Sequence, residues 1–256
     1  MKIILNADDF GISNDTVDAT IDLFEKGILN SATILLGMPA TGRAIDYAKK
    51  NTQFSYGIHL NFVDEGNPVL SPQVVPSLVN KNGRFYPSQE VRKSLLFNKF
   101  SPLEISLETI EQVNYLKDNG VPVSHIDSHG HIHKLPTFAK AIFSVKKYLG
   151  ISKIRSVQNI FTKKSVLSWS FWLNSMLEAN IKNKFETTNY FFMSSHFENL
   201  DWPHLFKEIK NNESLEVGFH PGYLEDWRIH ESKSAKQLSD FIQKNSNFKK
   251  IKWNEL

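Results

Sequence analysis

Short apolar runs take turns with stretches of helical spacing from the second residue onward, and this alternation restricts the possible folds more than any other feature. Residues 2–7 (Lys-Ile-Ile-Leu-Asn-Ala) read as a buried strand, and 15–26 as a helix capped by Ser13 or Asn14 and stopped by Gly27. A strand over 31–36 and a helix over 40–50 come next. Strands over 56–60, 121–127, 151–155 and 215–220 follow, with helices over 103–119, 137–149 and 232–244. Strand and helix in turn predict a parallel α/β sheet with helical crossovers, because parallel neighbours need a long return connection. The stretch 160–200 is less legible, and core packing accounts best for its aromatic run Trp169-Ser-Phe-Trp172.

Four of the apolar runs end in acids or histidines: Asn6-Ala-Asp-Asp-Phe-Gly11, Gly57-Ile-His-Leu60, His125-Ile-Asp-Ser-His-Gly-His-Ile-His133 and Glu216-Val-Gly-Phe-His-Pro-Gly222. Reactive groups at the ends of several strands favour a barrel-like arrangement in one domain, 1–256, over an open sheet. Residues 64–86 are rich in Pro, Gly, Asn and Ser, the composition of a long active-site loop.

Adjacent strand residues point opposite ways, so of Asp8 and Asp9 one can face a metal and the other a substrate. A lone Asp-Asp is more often a cap-and-turn pair, and only the histidine segments elsewhere tip the balance. His59 alone would read as a satisfied core histidine. His125, Asp127, His129, His131 and His133 fall at every second position, which sets them on one face of an extended chain and is hard to satisfy as ordinary core. Imidazoles suit zinc and similar ions, and a nearby carboxylate can orient a ring through its second nitrogen. One of these histidines with His59 and one aspartate makes a sensible ligand set that leaves positions open. His220, held before Pro221-Gly222, suits a general acid/base, although alone it would be a turn histidine. Arg155 can bind a carboxylate or tune the acid pair.

The chain has 256 residues and a net charge of +3, with no Arg/Lys stripe interleaved with aromatics, so a nucleic-acid partner is not expected. The lysines at 244, 249, 250 and 252 read as a solvated face. With no cysteine there is no disulfide, thiol nucleophile or cysteine-based zinc site. Ile3-Ile-Leu5 is too short for a leader or a membrane span, and a cytoplasmic protein is expected.

Taken together, these segments resemble the YdjC-like (ChbG-type) carbohydrate deacetylases in order and approximate spacing, as do Gly66-Asn-Pro-Val-Leu, Pro76-Ser-Leu and Gly83-Arg-Phe-Tyr86. The resemblance implies a distorted TIM-like barrel that removes acetyl groups from an N-acetylated sugar or short oligosaccharide. It also implies one divalent metal ion, magnesium or zinc, and a homodimer. By position, Asp9, His59 and His129 would be the metal ligands. Asp8 would be the catalytic base and His220 the acid, both by a further analogy with NodB-type deacetylases. His131, His133 and Arg155 would belong to the substrate pocket. Gly130, Asn61 and Ser156-Val157 depart from the family pattern, and these departures bear on the choice of sugar. A metal-dependent phosphoester hydrolase and a non-catalytic carbohydrate-binding barrel are the competing readings.

Overall fold

The computed structural model describes residues 1–64, 66–94, 99–160, 169–194, 200–207 and 209–256, with the side chains of 169–175 excepted. Its elements are β1 (Lys2–Phe10), α1 (Asn14–Glu25), β2 (Ser31–Leu35), α2 (Thr41–Lys50), β3 (Ser55–Leu60), α3 (Ser88–Ser94) and α4 (Pro102–Asp118). They continue with β4 (Val123–Ser128), α5 (Pro136–Leu149), α6 (Trp169–Lys182), β5 (Tyr190–Met193), α7 (Trp202–Leu205), β6 (Ser214–Phe219), α8 (Asp226–Gln243) and β7 (Lys249–Lys250). The sheet is parallel throughout, in the order β4-β3-β2-β1-β6-β5, and curls into a half-barrel with flanking helices. β7 lies along Lys2 and Ile3 of β1, below the point where β2 begins pairing at Asn6. The expected distorted barrel is present.

Side-chain alternation sorts the strands into two faces. On β1, Ile3, Leu5 and Ala7 join the main core beneath the helices, while Ile4, Asn6 and Asp8 belong to the other face. Leu215, Val217 and Phe219 of β6 face the same core as Tyr56, Ile58 and Leu60 of β3. The inner face is largely polar and stacks in layers. At the floor, Trp253 from the C-terminal turn is fully buried, stacks on His125 at 4.3 Å and packs with Ile4. Gly57 touches this layer, and a Cβ there would lie 2.6 Å from the His125 ring. Higher up come Asn6, Thr33 and Glu216, then Asp8, His59 and Asp127 at the carboxyl ends of the strands.

Local chemistry explains most element ends. Ser13 and Thr16 form a capping box at α1, Ser101 caps α4 ahead of Pro102, and Gly150 closes α5 in the left-handed region. Four expectations need correction. β1 runs on through the acidic pair to Phe10, with an irregular register between Ala7 and Phe10. The strand expected at 151–155 is reduced to single bridges, Ile126 to Ile154 and Lys153 to Glu186. β4 stops at Ser128, and His129–Lys134 is a 3-10 turn with Gly130 and His131 in the left-handed region, so the histidine alternation ends at His129. α8 starts six residues before the expected 232, because Arg228 and Glu231 occupy its core-facing positions and hide the apolar stripe. The Trp169 and Trp172 side chains lie outside the described residues. Among the described residues, no helix is long and apolar enough to cross a membrane.

Burial, then the nearby Arg155 charge, hold His125 well below the usual imidazole range, and the same two causes bring His133 to about 3. Both rings are neutral in the folded protein but protonate in the unfolded chain below about 6.5. The unfolded state therefore binds more protons in that window, and stability is lost as pH falls through it. Groups whose pKa is pushed up, such as His59, act the other way, so the check is a difference: the wild-type thermal midpoint minus that of His125→Phe, which keeps a ring on Trp253, should fall between pH 7 and pH 5, and a constant difference would refute this account.

Candidate functional site

A cavity of about 350 Å³ opens at the carboxyl ends of the strands. Of the residues singled out in the sequence, it is lined by Asp8, Asp9, His59, His129, His131 and His220. Asp64, Trp227 and Arg228 join them. His133 and Arg155 lie behind this lining and are buried.

The register irregularity at the end of β1 decides how the acid pair is used. Asp9 has a φ of 58°, a left-handed conformation that breaks the alternation of the strand. Both carboxylates consequently face one cavity instead of opposite sides of the sheet. Asp9 Oδ1 lies 2.8 Å from His129 Nδ1 and 3.4 Å from His59 Nε2. Its Oδ2 accepts a 2.9 Å hydrogen bond from Arg228 Nη2. His59 Nδ1 is 2.6 Å from Asp127 Oδ1 on the neighbouring strand, which directs Nε2 into the cavity. Burial lowers the His59 pKa, but Asp127, Asp9 and Asp8 outweigh it and push the ring up to about 10.

Asp9, His59 and His129 each present one ligand atom, all within 4.8 Å of one another. Two imidazole nitrogens and a carboxylate oxygen suit zinc and neighbouring divalent ions, and leave positions open. The carboxylate behind His59 is the usual orienting partner of a metal-bound histidine. The donor set and its close grouping fit a divalent metal. A second acid/histidine group, Asp8, His59 and Asp127, already has its cation, because Arg155 Nη1 reaches Asp8 Oδ2 at 2.5 Å and Asp127 Oδ2 at 2.6 Å.

Arg155 is fully buried and engages three carboxylates from three strands. Nη1 serves Asp8 and Asp127, Nη2 reaches Asp8 Oδ1 at 2.7 Å and Glu216 Oε1 at 2.6 Å, and Nε reaches Glu216 Oε1 at 2.9 Å. Four of the five guanidinium donors make hydrogen bonds to Asp8 and Glu216, and Nη1 is also ion-paired with Asp127. Burial raises the Asp8 pKa, yet Arg155 outweighs it and holds the carboxyl well below the usual range. Glu216 is pushed up to about 7 by burial, against the pull of Arg155. The Phe191 ring covers the guanidinium at 4.7 Å.

His220 lines the same cavity. Its Nδ1 is 3.1 Å from Glu231 Oε2, and its backbone N–H donates to the same oxygen at 2.7 Å. Burial lowers the His220 pKa, while Glu231, Asp9 and Asp8 raise it further, for a net increase. His131 sits edge-on to Phe191 at 5.8 Å, and His133 turns back to Ser128 Oγ at 2.7 Å.

The profile of the YdjC-like protein family matches residues 2–250. The chain belongs to that family. A carbohydrate deacetylase of Clostridium beijerinckii is 29% identical over 235 residues, covering 92% of this chain and 87% of that one. A carbohydrate deacetylase of Vibrio vulnificus is 33% identical over 147 residues, 57% of this chain, so the match spans little more than half (56%) of that relative's length. Among solved structures, a candidate cellobiose-phosphate cleavage protein of Enterococcus faecalis superposes with a TM-score of 0.77 at 18% identity, over 99% of this chain and 98% of that one, which establishes the shared fold.

The structure pairs Asp127 of the alternating run with His59 and adds Glu216, Arg228, Glu231, Trp227 and Asp64 to the site. Asp127 and Glu216 were visible as charges inside apolar runs, the usual mark of a polar inner face. Arg228 and Glu231 continue the buried stripe Ala235, Leu238 and Ile242 at helical spacing, a signal masked by their own polarity. Replacing Arg155 with lysine, a point charge with three donors, should leave the buried carboxylates poorly paired. Breaking such a pairing costs about 3–5 kcal/mol. Urea unfolding of Arg155→Lys should show a loss of that order, and a wild-type midpoint would contradict the described geometry.

Proposed function

We propose that this chain hydrolyses the acetamido group of an N-acetylated amino sugar or short oligosaccharide, giving acetate and a free amine, with one divalent ion held by Asp9, His59 and His129. The observation that carries the reading is the placement of an ionised carboxylate, Asp8, beside that ligand set with a carboxylate-supported histidine, His220, lining the same cavity. The family membership and the names of the relatives point to the same reaction class.

Each residue then has a task. Asp8, kept ionised by Arg155, accepts the proton of the attacking water. A carboxylate held so low is a weak base, and ordinary water, with a pKa of about 15.7, is too poor an acid for it. A divalent ion in the Asp9–His59–His129 set would supply the missing acidity, bringing water toward about 7, and would polarise the amide oxygen. Arg155 fixes both oxygens of Asp8 and acts through it, without touching substrate. His220, whose pKa Glu231 helps to raise, is the group placed to donate to the nitrogen as the C–N bond breaks. Trp227, His131 and Asp64 line the same cavity and would meet the sugar there.

Acetate release from N-acetylglucosamine, diacetylchitobiose and longer chitooligomers tests the reading. Asp8→Asn should lower turnover by about 10²-fold or more while metal content stays near the wild-type value. Asp9→Asn should lower both, and loss of metal in the Asp8 variant would overturn the division of roles.

The pH profile gives an independent check. An acid is lost as pH rises through its pKa, so a raised His220 pKa puts the basic limb of kcat/KM above about 6.5. Glu231→Gln removes the carboxylate that raises it and should move this limb to lower pH. A limb that stays in place would remove His220 from the acid role.

A further inference from the structure

Three residues other than glycine have positive φ among the described residues: Asp9 (58°), Asp64 (57°) and His131 (54°). All three line the same cavity. Side chains with a Cβ disfavour this region, and such conformations persist where surrounding structure over-determines them, commonly at functional sites. Asp9 and His131 already belong to the reading above. Asp64 has had no task beyond forming part of the wall.

The contacts of Asp64 leave one oxygen uncommitted to the backbone. Its N–H donates to the Tyr86 carbonyl at 3.0 Å, and its Oδ1 accepts from the Ser88 N–H at 2.7 Å. Oδ2 faces His129 Nε2 at 3.5 Å. The other nitrogen of that ring, Nδ1, lies 2.8 Å from Asp9 Oδ1. His129 thus lies between two carboxylates, hydrogen-bonded to Asp9 and within ion-pair range of Asp64. Its side chain is 18% exposed, against 2% for His59, so packing alone orients it less.

The segment carrying Asp64 is tied to α4 on both sides. Before it, Gln112 accepts the Asn61 N–H at 2.9 Å and donates to the Asn61 carbonyl at 2.7 Å. After it, the fully buried Glu108 accepts the N–H groups of Val69 at 2.8 Å and Leu70 at 3.0 Å. These anchors hold the Asp64 carboxylate at a set height on the cavity wall.

We propose that Asp64 is a positioning residue for His129: its carboxylate engages Nε2 and turns Nδ1 toward Asp9 and the cation. Asp127 does the same for His59 with the nitrogens exchanged, engaging Nδ1 and presenting Nε2. The proposal rests on the metal reading above.

Zinc affinity of the full chain, measured by competition with a chromophoric chelator, tests it. Asp64→Asn keeps the acceptor for Ser88 and tolerates left-handed φ, and Asp64→Gly satisfies φ while removing the carboxylate. Each should bind zinc about 10- to 100-fold more weakly, the usual effect of losing an outer carboxylate. The zinc-free thermal midpoint of Asp64→Asn should be unchanged. In a His129→Ala background the same replacements should have no further effect on affinity. Wild-type affinity in both single variants, or a full additional loss without His129, would overturn the proposal and leave the metal reading standing. A wild-type chain that binds no zinc, magnesium or manganese would overturn both.

Discussion

The buried Arg155 guanidinium is the interaction on which the rest of the structure depends. Its carboxylate partners come from β1, β4 and β6, while Arg155 itself lies in the broken segment between the two sheet edges. A complete barrel closes by pairing strands all the way round. Here Ile154 makes a single bridge to β4, the Asn159 N–H reaches the Phe191 carbonyl on β5, and a cation joins the interior across the gap. Taking three carboxylates out of water is costly without a partner, and a planar fork with five donors can satisfy all of them at once. Lysine lacks that geometry.

The same arrangement prepares the chemistry. Engaging both oxygens of Asp8 keeps it ionised and fixes its plane, while Asp127, shared between Arg155 and His59, carries that order to the His59 ring. The cluster both joins three strands and orders the cavity wall. Its polarity would make a poor core, and the fold accommodates it by keeping a separate apolar core between the sheet and the helices. The hydrophobic floor of Trp253 and Ile4 closes the other end.

Local backbone departures complete the site. A regular strand would send Asp8 and Asp9 to opposite faces, and a continued strand would send His129, His131 and His133 to one face. The left-handed residues Asp9, Gly130 and His131 break both patterns. As a result Asp8 and Asp9 share the cavity with His129 and His131, and His133 returns to the interior beside Ser128. Asn61 is held by Gln112 and donates to the Leu36 carbonyl at the base of the loop that ends in Asp64.

The sequence by itself determined the parallel α/β barrel, because the period-2 and period-3.6 patterns and their caps are properties of neighbouring residues. It also marked the strand ends whose acids and histidines meet in one cavity, since acids and histidines at the end of an apolar run have no comparable role in packing. Only the tertiary structure decided how those groups are used. Arg155 lies 147 positions from Asp8, His220 is supported by a glutamate one helix later, and α8 begins earlier than its apolar stripe suggests because Arg228 and Glu231 face inward. Hydrogen-bond partners far apart in the chain and left-handed kinks at single residues leave no periodic trace. They follow from burial and the need to satisfy every polar group inside the barrel, conditions that exist only once the strands have come together.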